Sequence, residues 1–269
     1  MKIFYTSSYI VKKNTSKPLF WTVFIWPITL LMGLEVIITE KDIQTFGLIM
    51  KEGLFSIGIP LYALIAVVFF LQMVAREFYI GKSERILEFL IAMSNYKTQF
   101  YGRLLGVSMI VLISNLFYAA ILIIFKGKSY QIGKLLHQFD FLDTKQLFEF
   151  LIALFLFSMF VILFSVLVGI ETRDVSKISQ HLGSVYLLII SASIINLISN
   201  DFIQKKVLLY IPFFNISSID FQTSLINIVI IFGIDIFTLT LFIIGLQKLW
   251  QIVKFKLNIL VDRKTHKGL

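Results

Sequence analysis

Apolar residues in this chain come in long unbroken runs rather than at the spacing of an amphipathic helix or strand. Six runs approach or exceed the ~20 residues an α-helix needs to cross the hydrocarbon core. They fall at roughly 19–39, 54–74, 104–125, 148–170, 182–199 and 225–246. The pattern predicts an all-α membrane protein with six transmembrane helices. The longest connection is 75–103, too short for a separate soluble domain, so residues 1–269 read as one transmembrane domain. An even number of spans puts both termini on the same side. The first run is long enough to span and has no small-x-small site after it, which argues against a cleaved signal peptide.

Composition agrees. Hydrophobic residues make up 58% of the chain and charged residues 15%, against roughly 25% charged in soluble domains. Mean hydropathy is +0.87. A soluble domain of this length has too much surface to hide that apolar content. A soluble enzyme, a disordered chain and a disulfide scaffold are therefore excluded, the last also because cysteine is absent.

The net charge of +9 would suggest nucleic acid in a soluble protein. Here the cations sit between spans. Of the 25 Lys and Arg residues, 17 fall on the side that carries the termini. The positive-inside bias then predicts cytoplasmic termini; a bacterial plasma membrane is the expected location, and no nucleic-acid partner is expected.

Catalytic motifs are scarce. Gly127-Lys128-Ser129 matches the end of a nucleotide-binding loop, but Leu122 stands where the first glycine belongs. His137, His181 and His266 make no metal-ligand spacing, so no metal is expected. No G-x-S-x-G elbow occurs. Polar residues within spans carry more weight, because lipid cannot solvate them. Glu35 lies near the outer end of the first span and reads as interfacial. Asp235 lies near the middle of the sixth and is the most anomalous residue. It is a candidate for a translocation path, with Asn115 and Asn196. Those two, with Asn227 and Gln72, also suit interhelical hydrogen bonds.

The connection after the second span is different. In Arg76 through Ser94 both signs of charge alternate with apolar residues. On a helix, Glu84, Arg85, Glu88 and Ala92 share one face, and Ile86, Leu87, Phe89, Leu90 and Met93 the other. This predicts an amphipathic helix along the cytoplasmic boundary, serving as an anchor or as a docking helix. Just downstream, Gly102-x-x-x-Gly106 permits close helix approach.

The stretch from Glu77 to Gly106 resembles the ABC-2 family of ABC-transporter permeases. Members carry an acidic stretch, then E-x-G-T-L-E-x-L-L-x-x-P, a basic segment and G-K-L-L. The match is Glu84 to Ser94 followed by Gly102-Arg103-Leu104-Leu105-Gly106, with Arg85-Ile86 in place of Gly-Thr and no proline after Ser94. Tyr210-Ile211-Pro212-Phe213-Phe214-Asn215 is similar to the family's P-x-x-N-P stretch, with Ser217 near the second proline's place. A basic start to Lys17 before a span broken at Trp26-Pro27 is similar too.

The resemblance implies a permease half-transporter of the compact type that exports drugs or antimicrobial peptides. A second permease chain, identical or related, would pair with it. A soluble ABC ATPase would dock beneath, holding ATP and Mg, while this chain is no enzyme and binds no cofactor. The coupling surface would be Glu77, Glu84, Arg85, Glu88, Phe89 and Met93, with Arg173 and Asp174 as a second contact. Pro212 and Asn215 would belong to a re-entrant outer segment. The alternative reading is a stand-alone, ion-gradient-driven transporter or channel that uses Asp235.

Overall fold

The computed structural model describes residues 2–16, 68–83, 95–126, 144–198, 211–213 and 225–265, with positions 21, 25 and 29. All regular structure among the described residues is helical. The elements are α1 (Lys2–Thr15), α2 (Val68–Ser83), α3 (Tyr96–Lys126), α4 (Thr144–Glu171), a 3-10 turn (Val175–Lys177), α5 (Ile178–Ile198) and α6 (Leu225–Thr265). Among the described residues three stretches, Tyr96–Phe117, Leu151–Glu171 and Asn227–Val253, are long and apolar enough to cross a membrane. The chain therefore has the character of an all-α membrane protein. Most of the first expected span, most of the second and the expected coupling segment at 84–94 lie outside the described residues.

The helices outrun the apolar runs that predict them. α3 starts at Tyr96 rather than near 104, and α6 continues to Thr265 rather than ending near 246. With 41 residues, α6 is about 60 Å long, roughly twice the hydrocarbon thickness. A helix already formed in lipid continues into water at little cost when good helix formers follow.

α4 is the hub, in contact with α2, α3, α5 and α6. Its spanning stretch is 61% buried within the chain, against 22% for that of α6. α4 therefore organises the bundle, while α6 leaves most of its surface to the surroundings. Helices in lipid gain little from the hydrophobic effect, so close packing must hold them together. Gly169 of α4 meets the Ala75 backbone of α2, where a β-carbon at Gly169 would lie 3.0 Å from the Ala75 Cα. The buried hydroxyls Ser158 and Ser165 bond back to the carbonyls of Leu154 and Val161 within α4. Each polar group is thus satisfied inside its own helix, as the bilayer requires.

α6 buries one stripe, Ile228, Ile231, Asp235, Leu239, Leu246 and Trp250. Its opposite side exposes Val229, Ile236, Phe237, Leu241, Ile244 and Ile252. The spacing of three and four is that of a helix face. An outward apolar face is what lipid favours.

α1 is a helix that no apolar run announces. Its inward positions are Ile3, Ser7, Ile10 and Asn14, only two of them apolar. Lys12 and Lys13 fall in the last turn, where cations suit the helix dipole. The Thr15 and Ser16 hydroxyls donate to the carbonyls of Val11 and Lys12. Pro18 follows and disfavours helix at Lys17. α1 packs on α3 at the glycine pair. A β-carbon at Gly102 would lie 2.7 Å from Thr6 Cβ, and one at Gly106 would lie 3.1 Å from the Ser7 carbonyl oxygen. The Gly-x-x-x-Gly spacing therefore does mark close approach, and its partner is the N-terminal helix.

The turn at 211–213 docks on α4. Phe213 takes φ 74°, a left-handed conformation that costs a residue with a β-carbon about 1–2 kcal/mol. Its ring is buried and stacks on Phe157 at 4.8 Å, with the Phe160 and Phe164 rings edge-on at 6.1 and 6.0 Å. Aromatic pairs of this kind contribute about 0.5–1.5 kcal/mol each beyond their burial, enough to hold the strained backbone. Phe157 to Phe164 belong to the middle of the α4 span, so the turn sits against the centre of that helix.

Candidate functional site at the charged end of the bundle

Glu77 lies on α2, three residues after Val74 and one before Phe78, both fully buried. The helix thus carries its carboxylate inward, and only 4% of the side chain is exposed. Lys13 of α1 reaches Oε1 at 2.8 Å, and Arg103 of α3 reaches Oε2 at 3.2 Å. The same Arg103 nitrogen, Nη1, also donates to the Glu77 carbonyl oxygen at 2.8 Å. One acid therefore ties together three helices. Gly81, one turn further on, leaves the space the guanidinium fills, since a β-carbon there would lie 2.7 Å from Arg103 Cζ.

Burying such charges is costly unless each finds partners. Glu77 has two cations, and an aromatic wall keeps water away. Phe78 stands edge-on to Phe100 and Trp250 at 5.7 and 5.6 Å. Trp250, fully buried, brings α6 into the same junction.

The last turn of α2 binds the α4–α5 connection. Lys82 Nζ donates to the Ile170 carbonyl at 2.8 Å and to that of Thr172. The Tyr79 hydroxyl donates to the Arg173 carbonyl at 3.3 Å. These carbonyls end α4, where the helix has no donors left for them.

Burial, and then the charge of Arg173, lower the Lys82 pKa from 10.5 to about 8. The neutral amine keeps two N–H groups, enough for both carbonyls. Between pH 8 and 10.5 the unfolded chain therefore binds the extra proton, so this group's contribution to stability rises with pH across that window. The difference in thermal midpoint between wild type and Lys82→Met should change in that direction from pH 8 to 10.5. A constant difference would contradict the lowered pKa.

The structure sorts the residues singled out in the sequence. Glu77, expected on a partner-facing surface, is inside the chain and engaged by Lys13 and Arg103. Glu84, Arg85, Glu88, Phe89 and Met93 lie outside the described residues, as do Glu35 and Asn215. Arg173 and Asp174 are exposed in the α4–α5 turn. Asp174 caps the 3-10 turn by accepting the Ser176 N–H at 3.1 Å, and this bond holds its carboxyl below the usual range. Asp235 is fully buried on the packed face of α6, and Asn115 is buried on α3. Asn196 is in α5, with its side chain outside the described residues. Pro212 is half-buried in the turn that docks Phe213. Gln72, expected between helices, is exposed on α2 instead, because the inward face there is taken by Leu71, Val74 and Ala75.

Sequence reasoning missed Lys13, Lys82 and Arg103 as specific partners and counted them only as cations of one side. One signal was available, an acid one helical turn before a glycine at the end of a span. Among the described residues no group of three His, Cys, Asp or Glu could hold a metal. No family model, curated protein or solved structure matches this chain.

Proposed function

We propose that this chain is the permease subunit of an ATP-driven exporter, paired with a second permease chain and docked on a soluble ATPase that supplies ATP and Mg chemistry. The observation that carries this reading is the junction at Glu77. Residues 84–94, with their alternating charged and apolar pattern, follow directly after α2. Displacing that segment would load the end of α2. Through Glu77, Lys82 and the Phe78–Trp250 contact the load would pass to α1, α3, α6 and the α4–α5 turn. A chain that merely anchored an interfacial helix would have no need to tie the end of α2 to α1, α3, α6 and the α4–α5 turn.

The resemblance around Glu84 to Gly106 supports the ATPase as the source of the load and gives an outward direction. The cargo class that fits small loops and an apolar bundle is an amphipathic peptide, drug or lipid-like molecule. The Phe213 turn, seated against the middle of α4, supports a short segment dipping in between the fifth and sixth spans. The cell membrane and cytoplasmic termini follow from the distribution of cations.

The test is affinity purification of the chain from its native cells in mild detergent, followed by mass spectrometry. A stoichiometric ATP-binding subunit is expected. A chain that emerges alone across several detergents would overturn the reading.

The complete burial of Asp235 in a spanning helix favours a second reading, a stand-alone transporter or channel. Liposomes containing only this chain separate the two, since gradient-driven flux lost in Asp235→Asn would support the second.

A further inference from the structure

A groove of about 450 Å³ opens where α4 ends and α5 begins. One wall is apolar, made by Leu167 and Val168 in the closing turns of the α4 span. The other is cationic. Arg173 comes from the turn, Lys177 ends the 3-10 turn and His181 lies in the first turn of α5, with the Ser184 hydroxyl beyond them. Glu171 is the acid among the lining residues, so Arg173 and Lys177 leave the groove wall itself one positive charge in excess; the ionised Asp174, which caps the Ser176 N–H, does not line the groove.

We propose that this groove binds the phosphate headgroup of an anionic phospholipid. The apolar stretch of α4 ends at Glu171, so the groove straddles the boundary between apolar and polar surface. Lipid phosphates sit at that depth, and basic pockets between spanning helices suit anionic headgroups. Arg173 and Lys177 would donate charge-assisted bonds to the phosphate oxygens, and Leu167 and Val168 would line the first part of an acyl chain. An acidic side chain from a soluble partner would use the cations but not the apolar wall. Arg173 therefore faces lipid, not the ATPase. This assignment is independent of the exporter reading, because it concerns the bilayer alone.

The experiment is native mass spectrometry of the full chain from nanodiscs of phosphatidylcholine mixed with phosphatidylglycerol. Wild type should retain one phosphatidylglycerol per chain. The double variant Arg173→Gln/Lys177→Gln, altered only at exposed positions, should hold it about thirtyfold less well, as expected for two interfacial cations. A thermal melt checks that the variant is folded. Lys248→Gln removes an exposed cation of α6 outside the groove and should change nothing. Equal loss in Lys248→Gln would reveal general surface charge and overturn the site, as would retention by the double variant. Displacement of the lipid by inorganic phosphate at matched concentration would mean a free-phosphate site and overturn the lipid assignment.

Discussion

Glu77→Gln is expected to destabilise the bundle by about 3–5 kcal/mol, the cost of removing one member of a buried ion pair. Glutamine keeps the size and a carbonyl oxygen but loses the charge. Arg103, whose side chain is 11% exposed, would then be buried against a neutral group, and Lys13 would lose its acid. With Trp21 and Trp26 replaced by Phe, Trp250 fluorescence reports the event locally, since its ring packs on Phe78, next to Glu77. The thermal midpoint in detergent should fall well below that of wild type. In an Arg103→Met background the same change should cost much less, because the charge left behind is gone; that non-additivity identifies a coupled pair. A Glu77→Gln protein that melts like wild type would sink both the junction and the load path through it.

Gly169→Ala should be nearly as damaging. The added methyl would fall against the Ala75 carbonyl oxygen and 3.0 Å from its carbonyl carbon and Cα. These are backbone atoms, so no rotamer change relieves the clash and α2 must move away from α4. Overpacking typically costs 1–3 kcal/mol, and a backbone clash belongs at the upper end, about 3 kcal/mol. Gly245→Ala is the matched control. Nothing lies within 4 Å of a β-carbon there, so the helix-propensity gain of up to about 1 kcal/mol should stand alone. Size-exclusion recovery after a graded heat step should rank Gly245→Ala at or above wild type and Gly169→Ala far below. The reverse order would mean that α2 and α4 do not cross at these residues.

The two glycines show where sequence reading stops. Both lie in apolar helices, and nothing local distinguishes them. Hydropathy locates α3, α4 and α6, because a span must be apolar over its whole length. It places their ends less well, since a helix does not stop where lipid does. α1 escaped it, because Ser7 and Asn14 face inward where an apolar pattern would be sought. The Gly102-x-x-x-Gly106 spacing permitted close approach but could not name α1 as the partner. The expected coupling residues from Glu84 to Met93 lie outside the described residues, so their role stays with the proposal.

By itself the sequence determined a helical membrane protein with an uneven distribution of cations. Both follow from local physics, because lipid tolerates only backbone that bonds to itself, and cations are retained on one side during insertion. Only the tertiary structure decided that Glu77 meets Lys13 and Arg103, that Lys82 holds the carbonyls of Ile170 and Thr172, and that Arg173 and His181 line one groove. These partners are far apart in the chain, and which cation reaches which acid depends on helix rotation and crossing. Those are set by glycine contacts such as Gly169 on Ala75 and Gly102 on Thr6, where one methyl group changes which faces meet.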